Sequence, residues 1–202
     1  MFKFLKLSVP ASILVMAPAI ASAAENLAQD DFVGISFWLI SMALVASTAF
    51  FFLETQRVSA KWKTSLTVAA MVTGIAAIHY FYMRGVWVDT GASPTVFRYV
   101  DWLLTVPLQI VEFFLILTAV AVVRAALFWK LLVASVVSLV GGYLGEIGAM
   151  DYNLGFAIGM AGWLYIIYEI FVGEASKISA TQGTEASKIA FNALRLIVTI
   201  GW

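Results

Sequence analysis

The chain has 202 residues, of which 62% are apolar and 12% are charged, and its mean hydropathy is +0.96. This composition excludes an ordinary soluble domain and predicts a membrane protein whose partner is the lipid bilayer. With 12 basic and 12 acidic residues the net charge is zero, so no basic field favours nucleic acid. The absence of cysteine and the single histidine exclude disulfides and thiolate chemistry, and we expect no metal site.

The beginning of the chain has the layout of a secretory signal peptide. Two lysines come first, an apolar stretch follows, and small residues at positions 21–24 precede Glu25. An uncleaved first helix is the alternative, but the two prolines in this stretch suit a short signal core better than a membrane span. We therefore predict a signal peptide over residues 1–24 and a membrane domain over residues 25–202.

Five later stretches are long and apolar enough to cross a bilayer, which takes about 20 residues. They are residues 33–53, 64–83, 97–123, 131–150 and 154–172. A sixth stretch, residues 189–202, is too short for a complete crossing. The sequence therefore predicts an all-α membrane protein with five complete helices and part of a sixth, and we expect the chain to be a fragment of a longer protein.

Basic residues are concentrated in alternate connections between these stretches. Seven lysines and arginines follow the first, third and fifth spans, whereas the other connections contain only Arg84. Because positively charged connections remain in the cytoplasm, the amino terminus is predicted to lie outside. The outer segment 85–91 alternates apolar and polar residues beside a glycine, which weakly favours a hairpin.

The third predicted span contains three ionisable residues, and such groups are costly in a bilayer and often functional. Arg98 and Asp101 are three residues apart and therefore neighbours on one helix face. Glu112 follows Asp101 by eleven residues, about three turns, so the two carboxylates share a face about 16 Å apart along the axis. Two titratable groups at two depths suit a stepwise proton relay. The alternative is that both are hydrogen-bonded packing residues.

His79 lies near the outer end of the second span, at a depth that matches Asp101 on the third. A neighbouring imidazole can hydrogen-bond a carboxylate and couple to its titration. A lone histidine in a helix is more often structural, so matched depth alone leaves both interpretations open. Glu146 and Glu169 lie near span ends, where carboxylates can reach the headgroups, and we expect structural roles for both.

These residues carry a resemblance to a known family. Residues 98–112, RYVDWLLTVPLQIVE, look like the third helix of a microbial rhodopsin, and residues 58–67 and 82–87 resemble the proteorhodopsins. The resemblance extends from the signal peptide to Trp202. It implies a seven-helix bundle around all-trans retinal that acts as a light-driven outward proton pump, not an enzyme. It also implies the bacterial cytoplasmic membrane as the location and a homo-oligomer, a pentamer or hexamer.

The resemblance assigns the proton path to four residues. Asp101 matches the Schiff-base counterion and proton acceptor, and His79 matches the partner of that acceptor. Glu112 matches the cytoplasmic proton donor, and Arg98 matches the arginine below the counterion.

The resemblance assigns the chromophore pocket to four others. Trp102, Trp163 and Trp202 match aromatic residues that pack against the polyene. Gln109 occupies the position that has glutamine in blue-absorbing members of the family and leucine in green-absorbing ones. From the residues alone, ordinary packing or anchoring at the interface is the more common role for such tryptophans.

Two features depart from the family. A retinal pigment needs a lysine within a membrane helix, but every lysine here lies in the predicted signal peptide or a predicted cytoplasmic connection. We expect the family's lysine in a seventh helix that this chain does not contain. Arg195 stands where the family usually has an uncharged residue, and the sequence offers no compensation for its cost. A sensory photoreceptor and an inactive membrane fragment are the alternatives to the pump, and the carboxylate at Glu112 favours the pump over the sensor.

Overall fold

The computed structural model describes residues 28–201, so the predicted signal peptide and Trp202 lie outside the described residues. Within this range the regular elements are seven helices. They are α1 (Phe32–Glu54), α2 (Ala60–Thr90), α3 (Thr95–Thr118), α4 (Ala125–Glu146), α5 (Tyr152–Phe171), α6 (Glu174–Gln182) and α7 (Glu185–Ile200).

The five predicted membrane crossings are confirmed. The helices α1 to α4 are each long and apolar enough to span a bilayer, and so is the segment Tyr152–Gln182, which contains α5 and α6. The sixth predicted stretch corresponds to α7, which begins at Glu185, four residues before the predicted start. The protein is therefore an all-helical, multi-pass membrane protein.

Short connections make the spanning helices alternate in direction. Successive helices pack against one another from α1 to α5, and α7 packs against α3, α5 and α6. We call the end with the α1–α2 and α3–α4 connections, residues 55–59 and 119–124, the basic end. The opposite end has the α2–α3 and α4–α5 connections, residues 91–94 and 147–151.

The second helix is longer than its predicted span, and the predicted hairpin over residues 85–91 is wrong. Helix α2 continues to Thr90, and Gly91 ends it with a left-handed φ of 64°, a conformation that glycine adopts without strain. Arg84, predicted to lie in an outer connection, is 1% exposed within α2, and its Cζ is 6.0 Å from the ring centre of Trp38 on α1. Packing against α1 therefore extends the helix beyond its most apolar part.

Asp31 fastens the beginning of α1 to the end of α2. Its Oδ1 accepts hydrogen bonds from the Gly34 backbone N–H at 2.8 Å and from Trp87 Nε1 at 3.1 Å. These two bonds, with the nearby positive charge of Arg84, lower the pKa of Asp31 below its usual value. The N-cap and the indole bond together hold the two helix ends in contact.

The buried core lies among α3 to α7, towards the basic end. Its fully buried members share a relative exposure of 0% and are Phe113, Leu127, Leu131, Ile166, Ile170, Ala175, Phe191 and Val198. At the interface between α4 and α5, facing glycines allow the two helix backbones to approach closely. A Cβ added to Gly155 would lie 2.6 Å from the Cα of Gly145, so only glycine permits this approach.

Candidate functional site

Asp101 is buried on α3 and touches the single histidine of the chain. Asp101 Oδ1 lies 3.1 Å from Nδ1 of His79, which is on α2. The same Nδ1 lies 3.1 Å from the carbonyl oxygen of Ile75. Because a carbonyl and an ionised carboxylate can only accept hydrogen bonds, Nδ1 carries the proton in this arrangement. The depth match between His79 and Asp101 in the sequence thus corresponds to direct contact.

Glu112 is also buried on α3, but its surroundings differ. Ser65 Oγ on α2 donates a short hydrogen bond to Glu112 Oε1. Glu112 is 7% exposed, and its Oε2 is buried without a hydrogen-bond partner in the described part of the chain. Sequence reasoning missed Ser65. The signal that could have found it is the antiparallel pairing of α2 and α3, because Ser65 lies fourteen residues before His79 on α2.

The two carboxylates share one face of α3. Both contact α2, Asp101 towards the opposite end and Glu112 towards the basic end. Helix α3 is continuous through Pro107, so the eleven-residue spacing places the two acids about 16 Å apart along its axis. Two buried acids therefore stand at two depths along the same helix–helix interface.

Arg98 pairs with a different carboxylate from the one beside it in sequence. Its Nη2 lies 2.7 Å from Glu146 Oε1 on α4, and Thr95 Oγ1 donates to the same oxygen at 3.1 Å. No ion pair joins Arg98 to Asp101 among residues 28–201. About a third of each side chain of the Arg98–Glu146 pair is exposed. The ion pair with Glu146 therefore costs Arg98 less desolvation than an ion pair with the buried Asp101 would. Glu146 is thus held by Arg98 rather than being free at the headgroups.

Glu169, unlike Glu146, is buried. It is 5% exposed, and its Oε2 accepts a hydrogen bond from the Glu174 backbone N–H at 2.9 Å. Tyr165 OH donates to Glu169 Oε1 at 3.2 Å. The carboxylate does not reach the headgroups; it caps the beginning of α6 inside the protein, which is a structural role.

The predicted pocket residues lie on separate helices. Trp102 on α3 is half-buried, 5.2 Å from the ring centre of Tyr99, and the guanidinium of Arg98 lies 5.4 Å from the Trp102 ring. Trp163 on α5 donates from Nε1 to the carbonyl of Val198 on α7 at 3.3 Å. Trp102 and Trp163 also approach the same core cluster from α3 and α5, since Trp102 packs on it and Val198 belongs to it. Trp202 lies outside the described residues.

Gln109 lies on α3 between the two acids, one turn before Glu112, and is half-buried.

A cavity of about 350 Å³ lies at the opposite end of the bundle, beside the Arg98–Glu146 pair. Its lining residues are Tyr99, Gly142, Gly145, Glu146, Tyr152 and Phe156. This cavity does not include Trp102 or Trp163, so it is distinct from the predicted chromophore pocket.

The lysines outside residues 1–24 all lie within the first six residues of a helix. They are Lys61, Lys63, Lys130, Lys177 and Lys188. Lys130, near the start of α4, lies 3.9 Å from Glu174 Oε2, and Arg124 contacts Oε1 of the same carboxylate. None of the five is beside Asp101. Within the described residues, no three His, Asp or Glu side chains are placed to hold a metal ion.

Comparisons with known proteins show the family of the chain. A family model described as "Bacteriorhodopsin-like protein" matches residues 31–202. The chain is 54% identical over 188 residues to the blue-light absorbing proteorhodopsin of Gamma-proteobacterium Hot 75m4, covering 93% of this chain and 74% of that protein. The chain belongs to the bacteriorhodopsin-like family.

Two solved structures of this family are similar in fold. The crystal structure of the blue light-absorbing proteorhodopsin from Med12 has a TM-score of 0.71 and 56% identity, over 85% of this chain and 76% of that one. Xanthorhodopsin, a light-driven ion pump with dual chromophore, has a TM-score of 0.72 and 29% identity, over 84% of this chain and 74% of that one. The predicted fold class, a microbial rhodopsin bundle, is confirmed.

Rhodopsins of this family bind retinal through a Schiff-base lysine. The described residues suit two parts of this cofactor, its positive charge and its apolar chain. The buried Asp101 carboxylate suits a cationic partner, since burying a charge without an opposite charge is costly. Trp102 and Trp163 offer apolar ring surfaces on two helices. The covalent anchor is not among the described residues, because their lysines lie away from Asp101.

Proposed function

We propose that the protein is a light-driven outward proton pump of the proteorhodopsin type in the bacterial cytoplasmic membrane. The observation that supports this most directly is the pair of buried carboxylates, Asp101 and Glu112, at two depths on one face of α3. Similarity to a blue-light absorbing proteorhodopsin and to a light-driven ion pump also supports light-driven transport rather than an enzymatic reaction.

In this proposal the protein residues hold and move the proton. Retinal, when bound through its lysine, supplies light absorption and a protonated nitrogen. Asp101 is the acceptor: its carboxylate takes up a proton, and the His79 Nδ1–H bond orients it and stabilises its charge. Glu112 is the donor, and Ser65 holds its carboxyl group through Oε1. Trp102 and Trp163, with Trp202 by resemblance, would pack against the polyene.

The direction of transport follows from the orientation of the bundle. We infer that the basic end faces the cytoplasm and the amino terminus lies outside, because lysines and arginines are concentrated at the basic end. Glu112 then takes its proton from the cytoplasmic side, and Asp101 releases its proton towards the outside. Cysteines placed singly at Ser59 and Asp89 should react with an impermeant reagent from opposite sides of right-side-out vesicles. Reaction of both from one side contradicts the orientation.

The decisive test is light-driven acidification. Cells expressing the full-length protein with all-trans retinal should acidify an unbuffered medium under light, and a protonophore should abolish the signal. A sensory photoreceptor, the second candidate, would give a light-induced absorption change without sustained acidification. The carboxylate of Glu112 favours the pump, because a positioned donor speeds the return of the proton. A pigment that absorbs light without moving protons would contradict the proposal.

The colour of the pigment is a further part of the proposal. Gln109 should make the full-length pigment absorb in the blue, because light moves positive charge along the polyene and a fixed amide dipole favours the ground-state distribution. Gln109→Leu should shift absorption to the red. An unchanged spectrum would show that other residues tune the pocket.

We also infer a pentamer or hexamer from the resemblance. The mass of the detergent-solubilised protein would test this oligomeric state.

A further inference from the structure

The connection between α5 and α6 is a break within one long apolar segment. Helix α5 ends at Phe171 and α6 begins at Glu174. In an unbroken α-helix the Glu174 N–H would donate to the carbonyl of Ile170. It donates instead to Glu169 Oε2 at 2.9 Å. The break therefore leaves the carbonyl of Ile170, a residue with 0% exposure, in need of another donor.

Arg195 on α7 provides that donor. Its Nε donates to the carbonyl oxygen of Ile170 at 2.5 Å, and its Nη2 donates to Ser176 Oγ at 2.8 Å. Ser176 Oγ in turn donates to the carbonyl oxygen of Phe171 at 2.9 Å. A cation at the carboxyl end of a helix is also favoured by the helix dipole. One guanidinium thus satisfies both sides of the break, which explains how α7 tolerates a charge that the sequence alone could not justify.

The same guanidinium is connected to the core beside Glu112. Its Cζ lies 4.8 Å from the ring centre of Phe191, which is fully buried. The Phe191 ring contacts Phe113 edge-on, with ring centres 5.1 Å apart. Phe113 is fully buried and follows Glu112 directly in α3. Two ring contacts therefore link Arg195 to the part of α3 that positions Glu112.

We propose that Arg195 is a positioning residue that clamps α7 to the α5–α6 break and so keeps Phe191 closed against Phe113. The closed ring pair excludes water from Glu112 on the side of α7. The clamp itself depends only on the contacts of Arg195. Its consequence for Glu112 rests on the proposed function, in which Glu112 is the proton donor.

The clamp is tested by hydrogen exchange in the dark, which requires no light-driven activity. In the full-length protein, Arg195→Leu should speed amide exchange over residues 171–176 on the order of tenfold, since a charge-assisted hydrogen bond opposes local opening by about that factor. Arg195→Lys, which keeps the charge and one donor, should give a smaller increase. Leu196→Ala, at an exposed neighbouring position, should leave exchange unchanged.

Unchanged exchange in Arg195→Leu overturns the clamp. If that variant does not fold, Ser176→Ala provides the milder test, because it removes only one partner of the guanidinium. Ser176→Ala should speed exchange over the same residues by a smaller factor. The absence of any increase there also overturns the clamp.

The closure over Glu112 is tested by the access of a small proton carrier. In a Glu112→Gln background, recovery of the dark absorption should be slow and external azide should restore it. Adding Arg195→Leu should lower the azide concentration needed several-fold, because azide passes the loosened ring pair more easily. Phe191→Ala should have the same effect, and combining it with Arg195→Leu should add little, since both act on one closure.

The two possible failures are distinguishable. If Arg195→Leu speeds exchange but leaves the azide requirement unchanged, the closure over Glu112 is wrong. If Glu112→Gln alone recovers at the normal rate, the donor assignment in the proposed function is wrong, and with it the link to Glu112. Additive effects of Arg195→Leu and Phe191→Ala would show that the arginine does not act through the ring pair.

Discussion

Asp101 and Glu112 are both buried acids on the same face of α3, yet their partners differ in kind. Asp101 faces an imidazole that can carry a positive charge and whose Nδ1–H can donate to it. Glu112 accepts a hydrogen bond from a serine hydroxyl, and its Oε2 has no partner among the described residues. A carboxylate needs several donors or a cation, whereas a neutral carboxyl group needs fewer partners.

In the proposed pump, this difference gives the two sites opposite resting states. There the Asp101 site holds a negative charge beside the His79 Nδ1–H. The Glu112 site holds a proton, because the described residues around it offer a hydroxyl and no cation. Environments that separate two carboxyl groups in this way are how one protein supports an acceptor and a donor at the same pH. The substitutions below remove each part of this contrast in turn.

The largest expected effect is at the charged site. Asp101→Asn should abolish light-driven acidification in the full-length pigment, because an amide cannot accept the proton. It should also shift absorption to the red, since the ground state loses its negative counter-charge. Asp89→Asn, at an exposed position near the end of α2, is the matched control and should change neither property. Sustained acidification by Asp101→Asn would exclude Asp101 as the acceptor.

Loss of the proton-holding site should slow the cycle without stopping it. Glu112→Gln should slow the recovery of the dark absorption about a hundredfold, the lower range for a positioned general acid. The resting spectrum should change little, because a neutral acid is replaced by a neutral amide. Flash spectroscopy with and without external azide measures this, and azide should restore the rate. Recovery at the unmodified rate would show that another group supplies the proton.

A smaller effect is expected when Glu112 keeps its carboxyl group but loses its partner. Ser65→Ala removes the hydroxyl that donates to Oε1, and should slow recovery roughly fivefold through loss of positioning, a factor typical of one hydrogen bond. Ser65→Thr keeps a hydroxyl and should restore most of the rate. Ser47→Ala, at a half-buried serine whose hydroxyl donates to the carbonyl oxygen of Ala43 within α1, is the control. Equal rates for Ser65→Ala and the control would remove Ser65 from the donor site.

The sequence was sufficient to predict the five crossings and the carboxylate pair, because both depend on local properties. Hydropathy over a span and the spacing of Asp101 and Glu112 require no knowledge of the neighbouring helices. Ser65 was also within reach of prediction. Once His79 is opposite Asp101, moving eleven residues along α3 to Glu112 corresponds to moving a similar distance back along α2, and Ser65 lies fourteen residues before His79. Antiparallel pairing therefore restricts the candidate positions for the partner of Glu112 to about one turn of α2.

Other features depend on long-range contacts and could not be predicted from local patterns. The three-residue spacing predicted that Arg98 and Asp101 are neighbours on one helix face, but the ion-pair partner of Arg98 is a carboxylate 48 residues away, Glu146. The cost of Arg195 had no local compensation, because the carbonyl that it binds becomes available only through the break after α5. Arg84 was assigned to a connection by its charge, although packing against α1 keeps it in α2.

The smallest expected effect concerns a third carboxylate, Asp31, which sharpens the comparison because it lies outside the spans. Backbone and indole donors lower its pKa in the folded protein, so the ionised form is favoured by folding. A lowered pKa adds stability that is fully present above the unfolded value, near 3.8, and is lost as the pH falls through the folded value. Asp31→Asn keeps an N-cap acceptor but removes the charge. Thermal unfolding in detergent should therefore show the unmodified protein slightly more stable than Asp31→Asn at pH 6, with the difference shrinking as the pH falls below about 4. A difference that is the same at both pH values would show that the charge of Asp31 does not stabilise the contact between α1 and α2.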